Sequence, residues 1–135
     1  FRGVPYDVIL VDGPDPIGPA EGLFALDFYA DCANILSPHG VFVTQSESPH
    51  MMRDLHLKIL ASLRQVFSRV HPYYKGLIIY PGGEWSWTFA SHNVDPKAII
   101  SRRATQISHA THIYNEEIHQ GAFAVPNHIR RVFDR

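Results

Sequence analysis

Tyr6-Asp7-Val8-Ile9-Leu10-Val11-Asp12-Gly13-Pro14-Asp15-Pro16 is the stretch that decides the fold. Tyr6 to Val11 is a short, largely apolar run with β-branched members, closed by a dense cluster of turn formers. That pattern reads as a strand buried on both faces, the kind a parallel sheet uses. Gly18-Pro19 extends the loop. Beyond it, Leu23, Phe24, Leu26, Phe28, Ala30, Ala33, Ile35 and Leu36 support a helix over residues 21–36, stopped by Ser37-Pro38-His39-Gly40. Val41-Phe42-Val43-Thr44 is the next strand, and Gln45-Ser46-Glu47-Ser48-Pro49-His50 a polar loop.

A second helix is expected over residues 51–67, where Leu55, Ile59, Leu60, Leu63 and Phe67 recur at spacings of three and four. Residues 70–74 suit a third strand. Leu77-Ile78-Ile79-Tyr80 leads into Pro81-Gly82-Gly83, a strong turn signal, and then into the aromatic-rich strand Trp85-Ser86-Trp87-Thr88-Phe89-Ala90-Ser91. The segments on either side of that turn should lie antiparallel. After residue 92 the pattern weakens. Phe123, Val125, Ile129 and Val132 are spaced apolar residues, and Pro126-Asn127 would start a short last helix. Strand, helix, strand, helix and a strand pair is the grammar of a doubly wound α/β sheet, mostly parallel and ending in an antiparallel hairpin. No glycine-rich turn follows the first strand, so the segment reads as the second half of a nucleotide-type fold.

Composition narrows the function. The 135 residues carry 12 Lys and Arg against 13 Asp and Glu, a formal net charge of −1. That balance argues against a protein built mainly to neutralise nucleic-acid phosphates or anionic lipid. With 45% hydrophobic and 19% charged residues the chain can form a packed core. The single cysteine, Cys32, falls inside a helical pattern and excludes an internal disulfide or a cysteine-based zinc site. No apolar run approaches a membrane span and no signal peptide is expected, so the expected compartment is the cytoplasm. Nine histidines include His109, His112 and His119, but no matching carboxylate motif supports a metal site.

The chemistry-bearing stretch is Asp12-Gly13-Pro14-Asp15-Pro16-Ile17-Gly18-Pro19. Its loop follows the carboxyl end of a strand, where open α/β sheets bind ligands. Prolines cut the loop's freedom and can hold the two carboxylates in place. A pair of Asp suits a hard cation, an organic cation or general-base work; the same residues also suit capping a turn or the next helix. Tyr80 and Trp85 flank the Pro81-Gly82-Gly83 turn and could cage a cation, or simply pack. Gln45-Ser46-Glu47-Ser48 should lie on the same rim as Asp12, although on its own it reads as a solvated loop.

These motifs together resemble the spermidine synthases, the polyamine aminopropyltransferases. The likeness runs through Val11-Asp12-Gly13-Pro14-Asp15-Pro16-Ile17-Gly18-Pro19-Ala20-Glu21-Gly22-Leu23-Phe24, then Gln45-Ser46-Glu47-Ser48, then Tyr80-Pro81-Gly82-Gly83-Glu84-Trp85-Ser86. Tyr114-Asn115 with His119 and Ala122-Phe123 follow in the family's order. The resemblance implies the C-terminal part of a methyltransferase-like Rossmann domain. It implies transfer of an aminopropyl group from decarboxylated S-adenosylmethionine to putrescine or a related polyamine, with no cofactor besides that co-substrate. By position, Asp12 resembles the family's proton-accepting Asp and Asp15 its partner in holding the amine. Tyr80 and Trp85 resemble the amine-pocket aromatics, Gln45 a pocket-lining residue, and Pro19 the residue touching the adenosyl group.

The resemblance also implies a homo-oligomer, dimeric or tetrameric, with small-molecule partners and neither nucleic acid nor membrane. The departure is Gly13-Pro14, where the family often has Ser or Thr; losing a hydroxyl bears on amine preference more than on the reaction. The family's N-terminal β region and glycine-rich donor loop would precede position 1. The 135 residues alone are therefore expected to bind nucleoside poorly, to show little activity and to self-associate through the first strand's edge. Two other classes share these features: an S-adenosylmethionine-dependent methyltransferase, which shares the fold, and a non-catalytic polyamine-binding module.

Overall fold

The computed structural model describes residues 3–80 and 82–133; Pro81 and the side chains of Val132 and Phe133 lie outside the described residues. Four strands form one sheet: β1 (Tyr6–Val11), β2 (Leu36–Gln45), β3 (Arg69–Gly76) and β4 (Glu84–Ser91), in the order β1-β2-β4-β3. β1 and β2 are parallel, and β4 runs antiparallel to both β2 and β3. Three strands therefore share one direction, and the sheet ends in an antiparallel hairpin, as the sequence pattern implies. Five helices follow: α1 (Leu26–Ile35), α2 (Arg53–Val66), α3 (Ser101–Ala110), α4 (Glu116–Ala122) and α5 (Asn127–Phe133).

The core lies between the sheet and the α1–α2 pair. Tyr29 and Cys32 of α1, Phe42 of β2, Ile59, Leu60 and Leu63 of α2, Phe67, Val70 and Ala90 are buried together. Tyr29 meets Phe42 edge-on at 5.7 Å, and Phe42 stacks on Phe67 at 5.6 Å. Both are geometries that ring quadrupoles favour. Elsewhere Tyr73 of β3 stacks on Trp87 of β4 and tilts against Phe123, just past α4. Asn115 caps α4 by accepting from the Ile118 amide at 2.7 Å. His119 ties the helix down by sitting 2.8 Å from the Pro96 carbonyl and 3.2 Å from the Tyr114 hydroxyl.

Four expectations need correction. The helix expected from residue 21 begins instead at Leu26, after a 3-10 segment (Gly18–Phe24) that breaks at the extended residue Ala25. Pro19 and two glycines keep that segment from propagating as an α-helix. β1 is not buried on both faces: it occupies a sheet edge, and Leu10 is 71% exposed while Ile9 and Val11 pack on the core. Ser37-Pro38-His39-Gly40 does stop α1 but belongs to β2, as an irregularity where the pairing jumps from Tyr6↔Leu36 to Val8↔Val41. Finally, the antiparallel partner of β4 is residues 69–76, not Leu77-Ile78-Ile79-Tyr80. Those four residues form the turn, in which the Leu77 amide donates to Gly83 and the Gly83 amide to Tyr80.

Candidate active site

β1 and β2 end side by side, and each delivers a carboxylate-bearing loop beyond its last residue. Past β1, Asp12 and Asp15 are both exposed on a loop closed by the Ile17 amide donating to the Asp15 carbonyl at 2.7 Å. Ile17, not an Asp, precedes the 3-10 segment, and neither that segment nor α1 has a side-chain cap. Both carboxylates are thus left unspent by helix capping. Pro19 opens the 3-10 segment just after Gly18, whose φ of 61° places it in the left-handed region. Gln45 fastens this loop to β2: its Nε2 donates to the Gly13 carbonyl at 2.6 Å.

The segment after β2 is not a solvated loop. Gln45 to Ser48 are all buried, and Glu47 is only 2% exposed. Two backbone bonds explain this. The Ser46 amide donates to the Ser86 carbonyl at 2.9 Å, and the Ser86 amide donates to the Glu47 carbonyl at 3.1 Å. The segment thus continues the β2–β4 ladder, with Glu47 turned by a φ of 65°. Its Oε1 is buried with no hydrogen-bond partner. Burial, reinforced by the negative charge of Asp15, holds its carboxyl above the usual Glu range. Glu47 sits in the motif that the sequence singles out, yet its role is missed. The one signal was a lone acid between two serines, which sequence alone cannot tell from a solvated charge.

Tyr80 and Trp85 meet across the 77–83 turn, with ring centroids 4.2 Å apart and planes at 22°. Stacked so closely, they leave no room for a cation between them. They form a wall and not a cage, with Trp85 buried beneath a half-exposed Tyr80. Trp85 precedes Ser86, whose backbone pairs with Ser46 and Glu47, so the wall starts where β4 meets the post-β2 segment. His50 Nε2 lies 3.0 Å from Glu84 Oε2, tying the post-β2 loop to the start of β4. Gly82 and Gly83 both have positive φ, and a Cβ on Gly82 would meet Met51 Cγ at 3.0 Å.

Among the described residues no group of three His, Cys, Asp or Glu could hold a metal ion. No helix among them is long and apolar enough to cross a membrane. Chemically, the rim is a cluster of carboxylates beside an aromatic wall on an open α/β sheet. Such an arrangement can attract an organic cation.

Comparison with known proteins gives the family. Residues 3–100 match the family described as the spermine/spermidine synthase domain. A polyamine aminopropyltransferase of Prochlorococcus marinus (strain MIT 9313) is 47% identical over 130 residues, covering 93% of this chain and 45% of the relative. That of Clostridioides difficile (strain 630) is 40% identical over 134 residues, 96% of this chain and 47% of the relative. A crystal structure of spermidine synthase in complex with the transition-state analogue AdoDATO superposes with a TM-score of 0.90 at 32% identity, covering 97% of this chain and 45% of that one. Spermidine synthase from Thermotoga maritima gives 0.84 at 30% identity, covering 97% and 44%. The chain belongs to the spermine/spermidine synthase family and has its methyltransferase-like α/β fold. It spans under half the length of the curated relatives it matches.

Proposed function

We propose that this chain forms the amine-accepting side of an aminopropyltransferase catalytic domain. The protein would transfer an aminopropyl group from decarboxylated S-adenosylmethionine to putrescine or a related polyamine. The observation that carries this reading is the buried Glu47, its Oε1 without a hydrogen-bond partner and Asp15 near enough to act on its charge, on the strand-end rim that also carries Asp12, with the stacked Trp85 one residue before Glu47's backbone partner Ser86. A di- or polyamine is the ligand whose charge and length suit it.

The chemistry follows from the residues. An ammonium has no lone pair and cannot attack. Asp12 binds it, takes its proton and leaves a neutral amine. The freed nitrogen attacks the methylene next to the sulfonium; the N–C bond forms as the C–S bond breaks, and sulfur leaves as the neutral thioether methylthioadenosine. Asp15 and Glu47 neutralise the far end of the acceptor, and the open face of Tyr80 attracts the same cation, worth roughly 0.5–2 kcal/mol. Gln45 fixes the Asp12 loop in register, and Pro19 borders the adenosyl group. Decarboxylated S-adenosylmethionine serves as co-substrate, with no further cofactor and no metal. On this reading the protein works in the cytoplasm as a homo-oligomer, with small-molecule ligands and no nucleic-acid or membrane partner. The glycine-rich loop for the donor comes from outside these 135 residues.

The test is a donor comparison. The full-length protein is incubated with putrescine and either decarboxylated or ordinary S-adenosylmethionine, and products are read by mass spectrometry. Spermidine and methylthioadenosine from the first donor alone support the proposal. Methylated product from the second would make it a methyltransferase, and spermidine binding without product from either would make it a binding module.

A further inference from the structure

Behind Glu47 lies a hydrogen-bonded cluster that the chemistry above leaves unused. His56 of α2 is fully buried, and its Nδ1 is 2.7 Å from the Ser46 carbonyl and 3.1 Å from Ser86 Oγ. A carbonyl only accepts, so Nδ1 carries the proton. Nε2 is then an acceptor, and the Tyr74 hydroxyl faces it at 3.4 Å. Burial pushes the ring's basicity down despite the Ser46 bond, so the imidazole is neutral.

The Ser86 hydroxyl has one proton to give. It lies 2.6 Å from the Glu47 carbonyl and 2.9 Å from the Ser46 carbonyl, and it serves the nearer. The Ser46 carbonyl is then left to His56. Glu47, next along, holds a left-handed conformation that a residue carrying a Cβ adopts only under constraint. Its neighbours must fix it, and one ring joins α2, the post-β2 segment and β4 at that point.

We propose that His56 is a positioning residue for the amine acceptor. Its Nδ1–H pins the Ser46 carbonyl so that Glu47 keeps its turned backbone and presents its carboxyl beside Asp15, with Trp85 held in the wall one residue before Ser86. The inference rests on the aminopropyltransferase reading. His56 touches neither the acceptor nor the reacting atoms and works through Ser46 and Ser86.

Two substitutions in the full-length enzyme test it. His56→Asn keeps an N–H close to where Nδ1 sits; His56→Leu removes it. His56→Leu leaves the Ser46 carbonyl without its ring donor, so it should raise the amine KM by about tenfold or more while the donor KM stays within about twofold. His56→Asn should restore the amine KM to within about threefold of wild type. An unchanged amine KM in His56→Leu overturns the proposal. So does an equal loss in both variants, or a parallel rise in donor KM, which would mark a general folding defect. A wild-type enzyme with no transfer activity sinks the functional reading instead. In that case spermidine dissociation constants of the three proteins, measured by calorimetry, decide the role of His56 by the same ratios.

Discussion

Replacing Glu47 by Gln should stabilise the ligand-free protein and weaken its hold on the amine. The side chain is 2% exposed, its Oε1 has no partner, and Asp15 adds a like charge. A buried polar group left unsatisfied costs about 1–3 kcal/mol, more when charged. Gln removes the charge and offers an N–H to Asp15, so the free protein should gain about 1–2 kcal/mol at neutral pH. The melting temperature should rise by about 2–8 °C per kcal/mol, depending on chain length. The sign follows from linkage. The folded-state pKa of Glu47 lies above its unfolded value, so wild-type stability is highest where the carboxyl is protonated in both states. It is lost as pH rises from the unfolded pKa, about 4.3, through the folded one. The two proteins should therefore converge in acid and separate above that window. Spermidine affinity should move the other way: an ionic hydrogen bond is worth about 1.5–3 kcal/mol, so the dissociation constant should rise about 10–100-fold. Scanning calorimetry across pH, with and without spermidine, measures both. A Gln variant that melts lower at neutral pH, or binds spermidine as wild type does, would refute the reasoning.

Asp12→Asn should cut turnover by about 10²-fold or more with donor binding retained, as loss of a general base does; near-normal kcat in a steady-state assay would remove Asp12 from that role. Gly82→Ala should destabilise the 77–83 turn by about 1–2 kcal/mol, because its φ is 84° and the new Cβ would meet Met51 Cγ at 3.0 Å. Urea titration reads the loss, and an unchanged midpoint would show that the turn relaxes freely. Asn115→Ala should cost about 1 kcal/mol through the lost cap of α4, visible as faster amide exchange in residues 116–122 at constant amine KM. A change in that KM would tie the helix to the site.

The fold was largely legible, because its deciding elements are local. The run ending at Val11, the helical spacing from Leu55 to Leu63 and the aromatic strand at Trp85 each carry their own signal. What escaped depends on neighbours distant in sequence. α3 and α4 are mostly polar and exposed outside Ala104, so few apolar residues mark them, and His119 and Asn115 hold α4 through contacts no local pattern displays. In the candidate site, Asp12 and Asp15 stood out because loops after strand ends are known ligand positions, whereas Gln45 was singled out only by the family resemblance. Glu47 was missed because its burial comes from Ser86, 39 residues away in sequence. The Tyr80–Trp85 pair was recognised as aromatic, but stacking, and not caging, is a matter of a few ångströms that composition does not encode.

The reversed direction of β4 has a consequence for how this surface changes over time. Had β4 run parallel to β2, its first residues would have landed at the far end of the sheet. Because it runs the other way, Trp85 enters the rim at the strand's beginning, straight out of the 77–83 connection. On the aminopropyltransferase reading, the hairpin's apex would thereby also border the place where the acceptor lies. Lengthening or shortening that apex by a residue or two would retune how long a polyamine fits, while the Gly76↔Glu84 pairing and everything below it stays in place. On that reading, selection on acceptor length could act there without touching the carboxylates to which the chemistry is assigned.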